Sequence, residues 1–146
     1  TLPIFLLYKR LKQKHPCKDL TFSIILGSSY NFHQQLIDDT CTAIINVLQK
    51  QKINAHHKKP NDIYVMNKKI AGILLSNVHS RKEVIYQALS LGININSDLN
   101  IRSFDSKAKA DHTSFVKELG KEVNREKILV DIIQSIDLAI QKQINL

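Results

Sequence analysis

Three short segments combine charged or amide side chains with the backbone devices that would hold them at a sheet edge. In Lys58-Lys59-Pro60-Asn61-Asp62, the proline fixes one torsion and biases Lys59 to an extended form. A cation, an amide and a carboxylate then gather at the mouth of a turn between two strands. Lys69 opens the next strand, and Gly72 follows three residues on. A glycine inside a strand often marks the close approach of a ligand or of another backbone. A lysine aimed at the same spot can hold a phosphate or carboxylate as a point charge. Gly92, Asn94 and Asn96 share one strand face, because side chains repeat every second residue. That face could meet phosphate oxygens with Mg2+ nearby, since magnesium prefers oxygen ligands and keeps several waters. Each segment also has a plainer reading: a Pro-Asn-Asp turn, a solvated lysine beside a bulge glycine, and a strand running out into a polar turn. The residue pattern alone leaves both readings open.

Hydrophobic periodicity supplies the elements that would carry these segments. Residues 2–12 have the spacing of a short amphipathic helix, ended by His15-Pro16. Leu20, Phe22, Ile24 and Leu26 alternate as a strand. Leu36, Ile37, Cys41, Ile44, Ile45 and Leu48 follow helical spacing within residues 32–50. The period then returns to two. A short strand is expected over 53–58, and a hairpin over 63–65 and 70–78 has Asn67 at its tip to tolerate positive φ. A long strand over 84–95 is expected to be central, because its apolar positions are nearly continuous. Residues 96–111 read as a polar loop. Thr113 is the expected cap of a short helix that Gly120 stops in the left-handed region, and Asn124 caps a last helix over 125–143. This order predicts an α+β fold with a mixed, largely antiparallel sheet and helices packed on it.

The chain has 146 residues, 43% hydrophobic and 23% charged, which fits one soluble globular domain. No apolar run approaches the roughly 20 residues of a membrane span. Two cysteines, Cys17 and Cys41, are too few for a disulfide scaffold or a Cys-rich zinc site and read as reduced thiols. Net charge is +8, but seventeen lysines and four arginines make up the basic residues. They are scattered along the chain and lack the arginine bias of specific base and phosphate readout. A solvated lysine-rich surface is therefore favoured over a nucleic-acid face.

In order and spacing, Lys58 to Asp62, Lys69 to Leu74 and Ser90 to Asn96 resemble three motifs of the biotin–protein ligases. These are Lys-Trp-Pro-Asn-Asp, Lys-x-x-Gly-Ile-Leu and Gly-x-Gly-Ile-Asn-x-Asn. Asp111 to Ser114 and Glu118 to Glu126 are similar to the family's Ala-Thr-Ser-Leu helix and its Leu-Gly … Arg-Glu continuation, and Leu20 to Ser23 to the strand before its first helix. The match runs over about residues 20–142. The resemblance implies the biotin/lipoate-ligase and class II synthetase-like architecture. It also implies ATP-dependent activation of biotin to biotinyl-5′-AMP, followed by transfer to a lysine of the biotin carrier domain of a biotin-dependent carboxylase. Lys69 would clamp the biotin carboxylate and the α-phosphate, and Asp62 would face the carrier lysine as positioner or base. Asn61, Asn94 and Asn96 would serve the nucleotide phosphates and their Mg2+, with Lys58 in support. Gly72 would let biotin lie against the sheet. The metal would be held through the phosphates, with no dedicated protein ligands. A cytoplasmic location and a homodimer through the sheet go with this reading.

Three features depart from the family pattern. Lys59 stands where the family has tryptophan, and Ser90 where it has the first glycine of Gly-x-Gly. No Gly-Arg-Gly-Arg-Arg-Gly loop or Ser-Thr-Asn segment precedes Leu20, and residues 1–19 match neither. The expectation is a single catalytic domain over 1–146, truncated at its N-terminus and lacking the family's small C-terminal barrel. Without the lid that such a loop forms, a mixed anhydride would leak to water, so ligation by residues 1–146 alone is expected to be weak. Two alternatives remain. One is a lipoate ligase or acyltransferase relative, although Pro60 and Ala71 suit the biotin branch better. The other is a non-catalytic basic remnant that binds a partner or nucleic acid.

Overall fold

A computed structural model describes residues 5–7, 18–27, 33–97 and 112–144. Six strands form one sheet in the order β1-β2-β6-β5-β4-β3. They are β1 (Phe5–Leu7), β2 (Leu20–Gly27), β3 (His56–Lys58), β4 (Asp62–Val65), β5 (Lys68–Ser80) and β6 (Glu83–Ile93). Every strand pair is antiparallel. One parallel bridge among the described residues, Lys69 to His112, makes the sheet mixed in the narrow sense. The helices are α1 (His33–Lys50), α2 (Phe115–Leu119) and α3 (Arg125–Ile144).

The alternation in β2 and β6 sorts the sheet into two faces. Leu20, Phe22, Ile24 and Leu26, with Leu89, Leu91 and Ile93, are buried on the inner face. They share one apolar cluster with Leu36, Ile44 and Leu48 of α1 and Ile128, Ile132, Ile136 and Ile140 of α3. The isoleucines of α3 recur every four residues, which keeps them on one stripe of the helix. α1 and α3 pack on each other, and Ser135 Oγ donates to the Ala43 carbonyl at 3.2 Å. With α1 and α3 on the inner face, no helix among the described residues covers the outer face of the central strands. There the residues are Thr21, Ser23, Gly72, Leu74, Ser90 and Gly92.

Several local expectations need correction. Residues 5–7 pair with β2 as a strand rather than continuing a helix. An isolated helix of that length is marginal, whereas a sheet edge satisfies the same backbone groups. At the hairpin tip it is Met66, not Asn67, that takes positive φ, at 53°. Ser114 rather than Thr113 caps α2, accepting from the Lys117 amide, and Gly120 ends the helix at φ 70° as expected. Asn124 caps α3 through Oδ1, which accepts from the Lys127 amide at 2.9 Å. The expected loop lies mostly outside the described residues, as do the His15-Pro16 break and Cys17.

Candidate functional site

One register row crosses the outer face of the sheet. Lys58 of β3 stands opposite Asp62 of β4, Asp62 opposite Gly72 of β5, Gly72 opposite Gly92 of β6, and Gly92 opposite Thr21 of β2. Two glycines thus form a bare patch between polar ends. Lys69 reaches this row because of a fault in the ladder. Ile63 pairs with Ala71 but Tyr64 pairs with Lys69, so Ile70 is an extra residue in β5. Strict alternation would put Lys69 on the inner face with Ala71 and Ile73. The bulge turns it outward and leaves Ile70 fully buried, the re-aiming that bulges commonly perform.

Lys69 Nζ lies 2.6 Å from Asp62 Oδ1, and both side chains are about one-quarter to one-third exposed. The ion pair spans Gly72. A methyl group on Gly72 would stand 3.1 Å from Lys69 Cε and Nζ and 3.2 Å from Asp62 Oδ1. Over Gly92 a methyl would meet nothing within 4 Å. The open cleft above this row has a volume of about 320 Å³ and is lined by Thr21, Asn61, Asp62, Lys69, Gly72 and Ser90, among others.

The turn before β4 is held at several points. The Lys59-Pro60 peptide is cis. The Pro60 carbonyl lies 3.1 Å from Gln34 Nε2 and 3.1 Å from His57 Nε2. Lys59, in the place of the family's tryptophan, extends to Asp38 Oδ2 of α1 at 3.4 Å. Hydrogen bonding from Gln34, aided by Lys59 and by the proximity of His57, holds the Asp38 carboxyl below its ordinary value of 3.8, against the opposing effect of burial. Asn61 is fixed by a reciprocal bond. Its Nδ2 donates to the Ile73 carbonyl at 2.6 Å, while the Ile73 amide donates to the Asn61 carbonyl at 2.9 Å. Asn61 Oδ1 is the atom left to meet a ligand.

Four of the sequence-derived candidates, Asn61, Asp62, Lys69 and Gly72, therefore line one cleft. The other three do not line it. Lys58 lies in the same row, but its ammonium sits over the Tyr64 ring, 4.3 Å from the centroid. Asn94 Nδ2 donates to the Thr113 carbonyl at 3.0 Å, and the Thr113 amide donates to the Lys69 carbonyl at 2.9 Å. Asn94 thus pins the segment before α2 against the start of β5. Asn96 pairs with the backbone of Val123 through both amide atoms, at 2.8 and 3.0 Å, and so ties the segment after β6 to the α2–α3 connection. Asp19, which carried no sequence signal, stands behind this arrangement. Buried, it accepts from the Ile95 and Ser97 amides and from Ser97 Oγ.

Among the described residues no group of three or more His, Cys, Asp or Glu side chains could hold a metal ion. Mg2+ held through nucleotide phosphates would need only one or two protein oxygens, and Asn61 Oδ1 and Asp62 fit that demand. Cys41 is buried in α1, and burial, with the nearby charges of Asp38 and Asp62, pushes its thiol up to about 12. Such a thiol is inert as a nucleophile.

Residues 15–140 match the family model of the lipoyl protein ligase A/B catalytic domain, and the chain belongs to that family of biotin and lipoate protein ligases. No curated protein matches the sequence. Among solved structures, the chain resembles apo biotin protein ligase from Aquifex aeolicus with a TM-score of 0.75 and 23% identity, covering 90% of this chain and 56% of that one. The same enzyme in complex with biotin and ATP matches with a TM-score of 0.74 and 24% identity, over 86% of this chain and 51% of the other. The bipartite lipoate protein ligase of Thermoplasma acidophilum matches with a TM-score of 0.63 and 16% identity, over 87% and 53%. The chain thus spans about half the length of these relatives. The expected α+β architecture is the one they share. No helix among the described residues is long and apolar enough to cross a membrane.

Proposed function

We propose that this chain contributes the carboxylate- and nucleotide-binding part of an ATP-dependent biotin–protein ligase. The reaction would activate biotin as biotinyl-5′-AMP and pass the biotinyl group to a lysine of a carrier domain in the cytoplasm. The observation that carries this reading is the Lys69 ammonium, turned by a bulge onto the glycine of an open cleft and held there by Asp62. An acid lying along the glycines would present its carboxylate to Lys69 in place of Asp62. As the carboxylate attacks the α-phosphate, pyrophosphate leaves, and the same ammonium meets the charge that develops between acid and phosphate. Asp62, released from Lys69, is then free to accept a proton from the incoming carrier amine.

Asn61 Oδ1 is placed to approach the phosphates or their Mg2+, which would neutralise charge on the leaving pyrophosphate. Asn94 acts from behind, by fixing the segment against which the Lys69 backbone is bonded. Asn96 holds the α2–α3 connection, and Lys58 adds positive charge at the end of the row. Biotin is preferred to lipoate on the motif residues Pro60 and Ala71. A homodimer through the sheet would use its edges, β1 and β3.

The test is pyrophosphate exchange into ATP as a function of added biotin, on the wild-type chain and on Lys69→Ala. Exchange that requires the acid and falls at least 100-fold in the variant is expected, because a charge-assisted contact made in the transition state is worth about 2.7–4 kcal/mol. Exchange of equal rate in Lys69→Ala would refute the clamp.

A further inference from the structure

Beyond the carboxylate end, the outer face carries a second chemical feature. Ser23 of β2 and Ser90 of β6 are cross-strand partners, and their hydroxyl oxygens are 2.8 Å apart. Both residues are half-buried on the same face as Gly92, two positions along from the Gly92–Thr21 pair. Thr21 and Ser90 both line the cleft. Two hydroxyl-bearing side chains, Thr21 and Ser90, thus flank the far end of the glycine patch, with Ser23 hydrogen-bonded to Ser90 from outside the cleft lining and Leu74 opposite Ser90 as an apolar wall. Ser90 is this chain's own feature, since it stands where the biotin–protein ligase motif carries its first glycine.

We infer that Ser90, oriented by Ser23 and assisted by Thr21, selects an acid whose far end carries hydrogen-bonding groups, the cyclic urea of biotin rather than the dithiolane of lipoate. The inference rests on the proposed function and assigns the head-group end of the same cleft. Distance permits it. From Gly72, beside the Lys69 ammonium, to Thr21 is two strand spacings, roughly 10 Å. That is the span of a carboxylic acid with four methylenes and a five-membered ring. Biotin carries its urea in a second ring fused beyond the first, so it exceeds lipoate by the width of one ring, and the chemistry of that outer ring must decide. One hydroxyl hydrogen is used between Ser23 and Ser90. The second hydroxyl hydrogen and the remaining lone pairs are available to an arriving head group. A urea carbonyl accepts and its N–H groups donate, which satisfies hydroxyls that lose water as the head group covers them. A dithiolane has no N–H or O–H to donate and offers only weakly accepting sulfur, so it would leave those hydroxyls poorly paired under the ligand. A site with polar groups left unpaired discriminates strongly.

Ser90 is a specificity residue by this account, and Ser23 a positioning residue that acts through it. The test measures dissociation constants for biotin, desthiobiotin, lipoate and octanoate by calorimetry on the whole chain. Wild type is compared with Ser90→Ala, Ser90→Thr, Ser23→Ala and Lys69→Ala. Desthiobiotin keeps the urea without the ring sulfur, and octanoate has neither. Biotin and desthiobiotin are expected to bind more tightly than lipoate and octanoate. Ser90→Ala and Ser23→Ala should each weaken the two urea acids by roughly three- to tenfold, leave the other two unweakened or tighter as an unpaired hydroxyl is removed, and so narrow the preference. Ser90→Thr, which keeps the hydroxyl, should restore it. If Lys69→Ala weakens every acid but the serine variants change none, or change all four alike, the head-group assignment fails and the carboxylate clamp stands. If no acid binds the wild-type chain, both fall together.

Discussion

Gly72→Ala separates a site effect from a folding effect more cleanly than the loss of any charged residue. The added methyl would sit 3.1 Å from Lys69 Cε and Nζ and 3.2 Å from Asp62 Oδ1, inside the ordinary contact distance of 3.4 Å or more. All three atoms are tips of side chains, so they can part by a few tenths of an ångström without moving the backbone. For the fold, alanine in a strand regains about 0.5–1 kcal/mol over glycine. Parting a partly exposed ion pair costs about 1 kcal/mol or less. The two nearly cancel, so the melting temperature should stay within roughly 4 °C of wild type. For the ligand, the methyl occupies the surface on which the acid would lie and pushes the ammonium off its line. Losing one hydrogen bond to a charged group, about 1.5–3 kcal/mol, weakens acid binding by roughly 10- to 150-fold. Calorimetric titration with biotin, beside a thermal melt, reads both quantities. Gly92→Ala is the control for stability, because nothing lies within 4 Å of the added carbon. Acid affinity within twofold of wild type would refute Gly72 as the surface that receives the ligand. A melt lowered by about 10 °C or more would refute the claim that only side-chain tips are disturbed.

Asp19→Ala should be among the most damaging single changes remote from the cleft. It strips acceptors from two backbone amides and a serine hydroxyl around residues 95–97, at a cost of about 2–4 kcal/mol, which urea unfolding would read as a lowered midpoint. Asp38 predicts a pH effect on the turn before β4. Its carboxyl lies below the ordinary 3.8 in the folded state, so its contribution is fully present above that value and is lost as pH falls through the lower, folded-state value. The pair is partly exposed, which limits the contribution to about 1 kcal/mol or less. Asp38→Asn should flatten that part of the stability profile as pH falls below 3.8, and an unchanged acid limb in the variant would count against it.

Much of the architecture is legible in local patterns. Alternation marks β2, which has one apolar face against the helices, and a nearly continuous apolar run marks β6, which lies inside the sheet. Four-residue spacing marks α3, since Ile128, Ile132, Ile136 and Ile140 form one stripe. Gly120 and Asn124 announce helix ends by conformational freedom and by an acceptor side chain. Local pattern fails where pairing decides. Residues 5–7 have a spacing that suits a helix, yet the open edge of β2 takes them as a strand. Asn67 looks like the residue for positive φ, but the turn geometry gives it to Met66.

The site divides along the same line. Sequence by itself determined which residues could matter: Asn61 and Asp62 after a proline, Lys69 and Gly72 in the next strand, and the amides Asn94 and Asn96 just beyond β6. These are matters of residue type and nearby spacing. Only the tertiary structure decided which of them meet. Residues 69 and 72 lie on opposite faces of a regular strand, and it is the extra residue Ile70, buried in the core, that turns Lys69 to the side of Gly72. Antiparallel register, set by strands distant in sequence, aligns Asp62, Gly72, Gly92 and Thr21 into one row and brings Ser23 against Ser90. The same packing commits Asn96 to Val123. A residue's chemistry is written in its own side chain, but the face it occupies depends on how strands pair and where the core takes up an extra residue.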